Sequence, residues 1–156
     1  MKTEFDRYLK QIGISELFYE RSKHVVEVLR RVIGEDVLDI FVSDYFDGEG
    51  KRNYQDLLLF TQHRIVEVKQ FLTQDQYFIN NVQEYPIVGI EINANEYDFE
   101  KATEKSRLNL KVFWGEGTSL NLPMKAAGEN CDYLNGIFKK YFLQTTAKST
   151  VSCNRS

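Results

Sequence analysis

The chain is poor in the residue types that announce chemistry. It has 156 residues but only two cysteines, two prolines and two histidines. Two cysteines are too few for a disulfide framework. Cys131 falls in an expected helix and Cys153 in a polar tail, which fits a reducing compartment. Two prolines leave no proline-rich linker. No apolar run approaches the roughly 20 residues of a bilayer span, and the opening MKTEFDRYLK lacks the apolar core of a signal peptide. A cytoplasmic protein is the expectation. A basic excess is also missing. The net charge of −3 argues against a sequence-independent nucleic-acid binder, which needs cations to neutralise phosphates.

What is present is ordinary globular material. The apolar fraction is 42%, the charged fraction 28% and the aromatic fraction 13%, enough to fill a core without staples. Residues 1–34 read as a helical segment. A short helix covers about Glu4 to Gln11, with Phe5, Tyr8, Leu9 and Ile12 on its apolar face. Ser15 then caps a longer helix whose apolar stripe is Phe18, Val25, Leu29, Val32 and Ile33, closed by Gly34.

After Gly34 the apolar period shortens to two. Val37–Ser43 reads as a strand, and residues 47–53 as a polar glycine-bearing loop. Asp56–Leu72 is the most legible hairpin, turning at Thr61-Gln62-His63-Arg64. Tyr77–Ile79 and Ile87–Ile92 are further strands, with Gly89 as a possible bulge. Tyr97 and Phe99 alternate with Glu96, Asp98 and Glu100, which suggests a half-exposed strand. Leu108, Leu110, Val112 and Trp114 alternate with Asn109, Lys111 and Phe113 and put Trp114 in the core. Residues 115–117 form a turn, and residues 119–124 a strand whose end Pro123 places at an edge. Cys131, Leu134, Ile137, Phe138, Tyr141 and Phe142 recur at helical spacing, with Gly136 marking a close approach to the sheet. Residues 144–156 have little apolar content and are expected to be a disordered tail.

About seven antiparallel strands followed by one amphipathic helix resemble a pleckstrin-homology-like (PH-like) domain, more closely the bacterial PH-like and GRAM-type domains. The residues that carry the likeness are Leu58-Leu59-Phe60-Thr61-Gln62-His63-Arg64-Ile65-Val66, the Pro–aliphatic segment Tyr85–Ile92, and the strand–turn–helix order from Leu108. The resemblance implies an α+β, mainly β fold: a PH-like antiparallel barrel or orthogonal sandwich over residues 35–143 with a C-terminal capping helix, behind an N-terminal helical extension. It implies a non-enzymatic binding or protein-interaction module.

PH domains that bind phosphoinositides place basic residues in the first hairpin. Here Lys51 and Arg52 stand there, surrounded by Asp44, Asp47, Glu49 and Asp56, which repel phosphate. No phosphoinositide site is expected. His63 and Arg64 occupy the turn of the central hairpin, so the candidate partner contacts are Lys51, Arg52, His63 and Arg64. His24 and His63 have no nucleophile at a meaningful spacing, so no catalytic residue is assigned. The acidic sets at residues 44–49 and 96–100 lack a calcium-loop pattern, and the glycines do not make a phosphate loop. No metal and no cofactor are expected. The expected partner is a protein, or a second copy meeting the N-terminal helices. The alternatives are a small-ligand site or an enzyme at the open end of the barrel, marked by a pocket of converging polar groups with a perturbed carboxylate or histidine, or weak membrane-surface binding.

Overall fold

In a computed structural model, the structure describes residues 3–69, 76–80, 87–114 and 120–143. The expected turn at residues 115–117, Pro86, the tail and Cys153 lie outside them. Among the described residues three helices and seven strands follow in the order α1 (Thr3–Gln11), α2 (Glu16–Ile33), β1 (Asp39–Phe46), β2 (Arg52–Phe60), β3 (Ile65–Lys69), β4 (Gln76–Asn80), β5 (Ile87–Asn95), β6 (Arg107–Trp114), β7 (Leu120–Ala127) and α3 (Asn130–Ile137). A π-helical turn (Phe138–Leu143) continues α3. The strands pair in two antiparallel sheets, β1-β2-β3-β4 and β5-β6-β7. No pairing among the described residues closes them into one barrel.

The chain divides into two compact units. One holds residues 1–43 and 54–81; the other holds residues 44–53 and 82–156. In the first unit both helices spend their apolar faces on the chain's own core. Phe5, Tyr8, Leu9, Ile12, Phe18, Val25, Val26 and Leu29 are buried with Leu57, Leu58, Leu59 and Phe60. Polar bonds fix the seating. The Val42 N–H donates to the Tyr8 hydroxyl at 3.0 Å, and the Tyr54 hydroxyl donates to the Ile12 carbonyl at 2.6 Å. Ser15 caps α2 by accepting from the Phe18 N–H, and Gly34 ends it at φ 67°. The buried stripe is displaced from the expected one. Val32 is 66% exposed, while Ser22 and Val26 are buried on the face that carries Phe18, Val25 and Leu29.

The central hairpin forms as read, with Phe60 opposite Ile65 and the Thr61 hydroxyl accepting from the Arg64 N–H at 3.0 Å. Two expectations need correction. β1 continues to Phe46 and β2 starts at Arg52, so the connection shrinks to a tight turn. The Asp47 carboxylate closes that turn by accepting from the Glu49 and Lys51 N–H groups. Residues 96–101 are not a strand. Glu96 and Phe99 take positive φ, and Asp98 accepts from the Glu100 and Lys101 N–H groups, so local side-chain bonds replace ladder bonds.

In the second unit β6 keeps its alternation: Leu108, Leu110, Val112 and Trp114 are buried, as are Leu122, Met124 and Ala126 of β7. The helical end covers this apolar face through Cys131, Leu134, Ile137, Phe138 and Phe142, with Phe142 5.9 Å from Trp114 between ring centres. Tyr141 is only half-buried, and Gly136 is exposed with open space where a Cβ would stand, so Gly136 marks no close approach. Pro123 sits inside β7 rather than at its end. β7 is an edge of its sheet, where a residue without an N–H is tolerated.

Candidate binding site

The other face of the β5-β6-β7 sheet is polar, because alternation sends every second side chain there. The register lines these residues up across strands. Asn95 stands opposite Arg107, and Arg107 opposite Ala127. In the next row Asn93 faces Asn109, and Asn109 faces Lys125. Over these two rows opens a cleft of about 410 Å³, lined by Asp44, Tyr45, Phe46, Asn93, Asn95, Arg107, Asn109, Lys125 and Ala126.

One wall is the β1–β2 hairpin tip, and a charge network holds it in place. The Asp44 side chain is fully buried. Its Oδ1 accepts from the Ala127 N–H and from the Asn130 amide, both at 2.9 Å, and its Oδ2 faces Arg52 Nε at 3.1 Å. Arg52 forks onward to both Glu129 carboxylate oxygens and to the Ala127 carbonyl. Gly128 lets this happen. Its φ is 62°, and a Cβ there would stand 2.7 Å from Arg52 Nη2. Burial pushes the Asp44 carboxyl up to about 6, against the lowering pull of its hydrogen bonds and of Arg52. The Arg52 hydrogen bonds hold the Glu129 carboxyl below its ordinary value. Burial pushes the neighbouring Cys131 thiol up to about 12, so this cysteine is no nucleophile.

Phe46 carries the wall inward. Arg52 lies 5.4 Å and Arg107 4.2 Å from its ring centre. Arg107 is held further by its Nη1, which donates to the Glu104 carbonyl at 3.1 Å and the Ser106 carbonyl at 2.8 Å. The adjoining loop is fastened to α3, where Asp132 accepts from the Tyr97 hydroxyl at 2.7 Å and from the Ala102 N–H.

The residues singled out in the sequence fall elsewhere. Lys51 is exposed in the hairpin turn. Arg52 is not a loop cation but a strand residue taken up by Asp44 and Glu129. His63 is exposed in the central turn, and Arg64 pairs with the chain's own Glu35. Of the four, Arg52 alone touches the framework of the cleft. Sequence reasoning missed Asn93, Asn95, Arg107, Asn109 and Lys125. For Arg107 and Asn109 a signal was available, since they alternate with the buried residues of β6; Asn93, Asn95 and Lys125 join them only through the register. Among the described residues, no group of three or more His, Cys, Asp or Glu side chains is placed to hold a metal ion. No helix among them is long and apolar enough to cross a membrane. Compared with known proteins, the chain matches no family model, no curated protein and no solved structure.

Proposed function

We propose that the chain is a non-enzymatic binding module of PH-like type that receives a protein partner on the polar face of the β5-β6-β7 sheet. The observation that carries this reading is the cleft itself. It offers three amides, two cations and the half-exposed Tyr45 around a space of about 410 Å³, a lining rich in hydrogen-bonding groups. The PH-like part rests on element order: four antiparallel strands, then three, then a C-terminal helix whose apolar side covers the second sheet. Bacterial PH-like and GRAM-type domains remain the resemblance that this order supports, with the cytoplasm as the place of action.

An enzymatic reading has one observation in its favour, a cleft beside a carboxyl of raised pKa. The geometry turns it toward binding. Asp44 presents no surface, and both its oxygens are engaged by Ala127, Asn130 and Arg52. It fixes the wall of the cleft and reaches no reactant. The Arg52 network argues likewise against a lipid headgroup in the first hairpin, because that guanidinium is already paired twice.

The test is affinity capture from the source cells with wild type and an Asn109→Lys, Lys125→Glu variant in parallel. The reading expects a protein retained by wild type and lost by the variant, with both equally folded by circular dichroism. An identical set of captured proteins would remove the cleft as the binding face.

A further inference from the structure

Resting on that reading, we infer that the cleft recognises a carboxylate of an acidic peptide segment and that Arg107 is the residue that grips it. The evidence is the state of its guanidinium. Phe46 supports the flat side, and two backbone carbonyls take the Nη1 hydrogens. Among the described residues Arg107 pairs with no carboxylate, and its Nε–H and Nη2–H make no bond to them. That edge is the one that meets two carboxylate oxygens in a parallel fork. Arg52 shows the contrast within the same unit, since its guanidinium is consumed by Asp44 and Glu129. Arg107 is therefore a rigidly held cation without a carboxylate partner among the described residues, on the lining of a cleft.

The neighbouring groups select the rest of the ligand. Asn95 is the cross-strand neighbour of Arg107, and Asn93 and Asn109 form the next row with Lys125. Each amide offers a donor and an acceptor. A peptide backbone supplies both in alternation and matches this lining. Inorganic phosphate near neutral pH carries only one or two O–H donors beside its acceptors, too few for the three asparagine oxygens. The carboxylate comes either from an Asp or Glu side chain or from a free chain end, and the chemistry at Arg107 is the same for both.

The experiment is a titration of the ¹⁵N-labelled full chain, following the Arg107 Nε–H signal and the backbone amides of the cleft. Four probes separate the possibilities. The first is a five-residue peptide of serine and glutamate, acetylated and amidated. The second is its glutamine counterpart with a free C-terminus, the third that counterpart amidated, and the fourth inorganic phosphate. The expected result is a saturable shift of the Arg107 Nε–H with the first or the second probe and none with the third; which of the two acts names the source of the carboxylate. Arg107→Gln is expected to weaken binding about tenfold or more, and Arg107→Lys nearly as much, because an ammonium keeps the charge and loses the fork. The Trp114 indole signal checks that each variant is folded, and if neither folds the wild-type titration decides alone. Equal shifts with the uncharged peptide, stronger shifts with phosphate, or undiminished affinity in Arg107→Gln would overturn the inference. Peptide shifts at Asn93, Asn109 and Lys125 with Arg107 unmoved would overturn it and leave the cleft standing. Silence at every cleft residue together with unchanged capture by the charge-reversed variant would remove both.

Discussion

At the scale of single residues, Asp44 governs how stability responds to pH. A carboxyl whose folded value stands near 6, above the ordinary 3.8, binds its proton more tightly in the folded chain than in the unfolded one. Its contribution is therefore largest at low pH and is lost as pH rises from about 4 to about 6. The loss is on the order of 3 kcal/mol. Glu129, held below its ordinary value, acts the opposite way and loses its contribution as pH falls through its own lowered value. Chemical denaturation followed between pH 4 and 7 is expected to show the Asp44 component in wild type and its absence in Asp44→Asn. A flat wild-type profile with no Asp44 titration in carboxyl NMR contradicts the assignment. Gly128→Ala is expected to cost about 1–2 kcal/mol, from strain at positive φ and from displacing Arg52. Unchanged urea unfolding would show that the network tolerates a Cβ there. Neither residue was legible in the sequence. Asp44 reads as one acid among several around a loop, and only the extension of β1 to Phe46 buries it.

At the scale of elements, the signals that depend on near neighbours were legible. The Ser15 cap, the Gly34 stop, the turn at residues 61–64 and the alternation of β6 all rest on contacts within a few residues. Ser15→Ala removes the oxygen that accepts from the Phe18 N–H and is expected to cost about 1 kcal/mol, read as a lower thermal midpoint with the fold retained. Leu110→Ala hollows the buried side of β6 and is expected to cost about 2–5 kcal/mol in chemical denaturation. What escaped was decided by distant partners. Residues 96–101 alternate like a strand, yet Asp98 and Asp132 take their N–H and hydroxyl groups and fold them into a loop. The last helix was legible through Ile137. Its π-helical continuation was not: there Phe138 meets Phe142, and Phe142 meets Trp114, a partner distant in sequence.

At the scale of the whole molecule, the succession of most strands and the closing helix could be read from periodicity, but the extra strand at residues 96–101 could not be told from a loop, and the division into two sheets was not visible. The site could not be read in the same way. Basic residues in turns drew attention to Lys51, Arg52, His63 and Arg64, whereas the structure ties Arg52 and Arg64 to the chain's own acids and assembles a cleft from strand residues far apart in sequence. A sheet face collects side chains from three strands, so its chemistry appears only once register is known. The most direct measurement is the amide map of the ¹⁵N-labelled chain as each carboxylate-bearing peptide, the acidic one and the one with a free C-terminus, is added. The account predicts saturable shifts centred on Asn93, Asn95, Arg107 and Asn109. Shifts centred instead on His63 and Arg64, or none in the cleft with either carboxylate-bearing peptide at millimolar concentration, would contradict it.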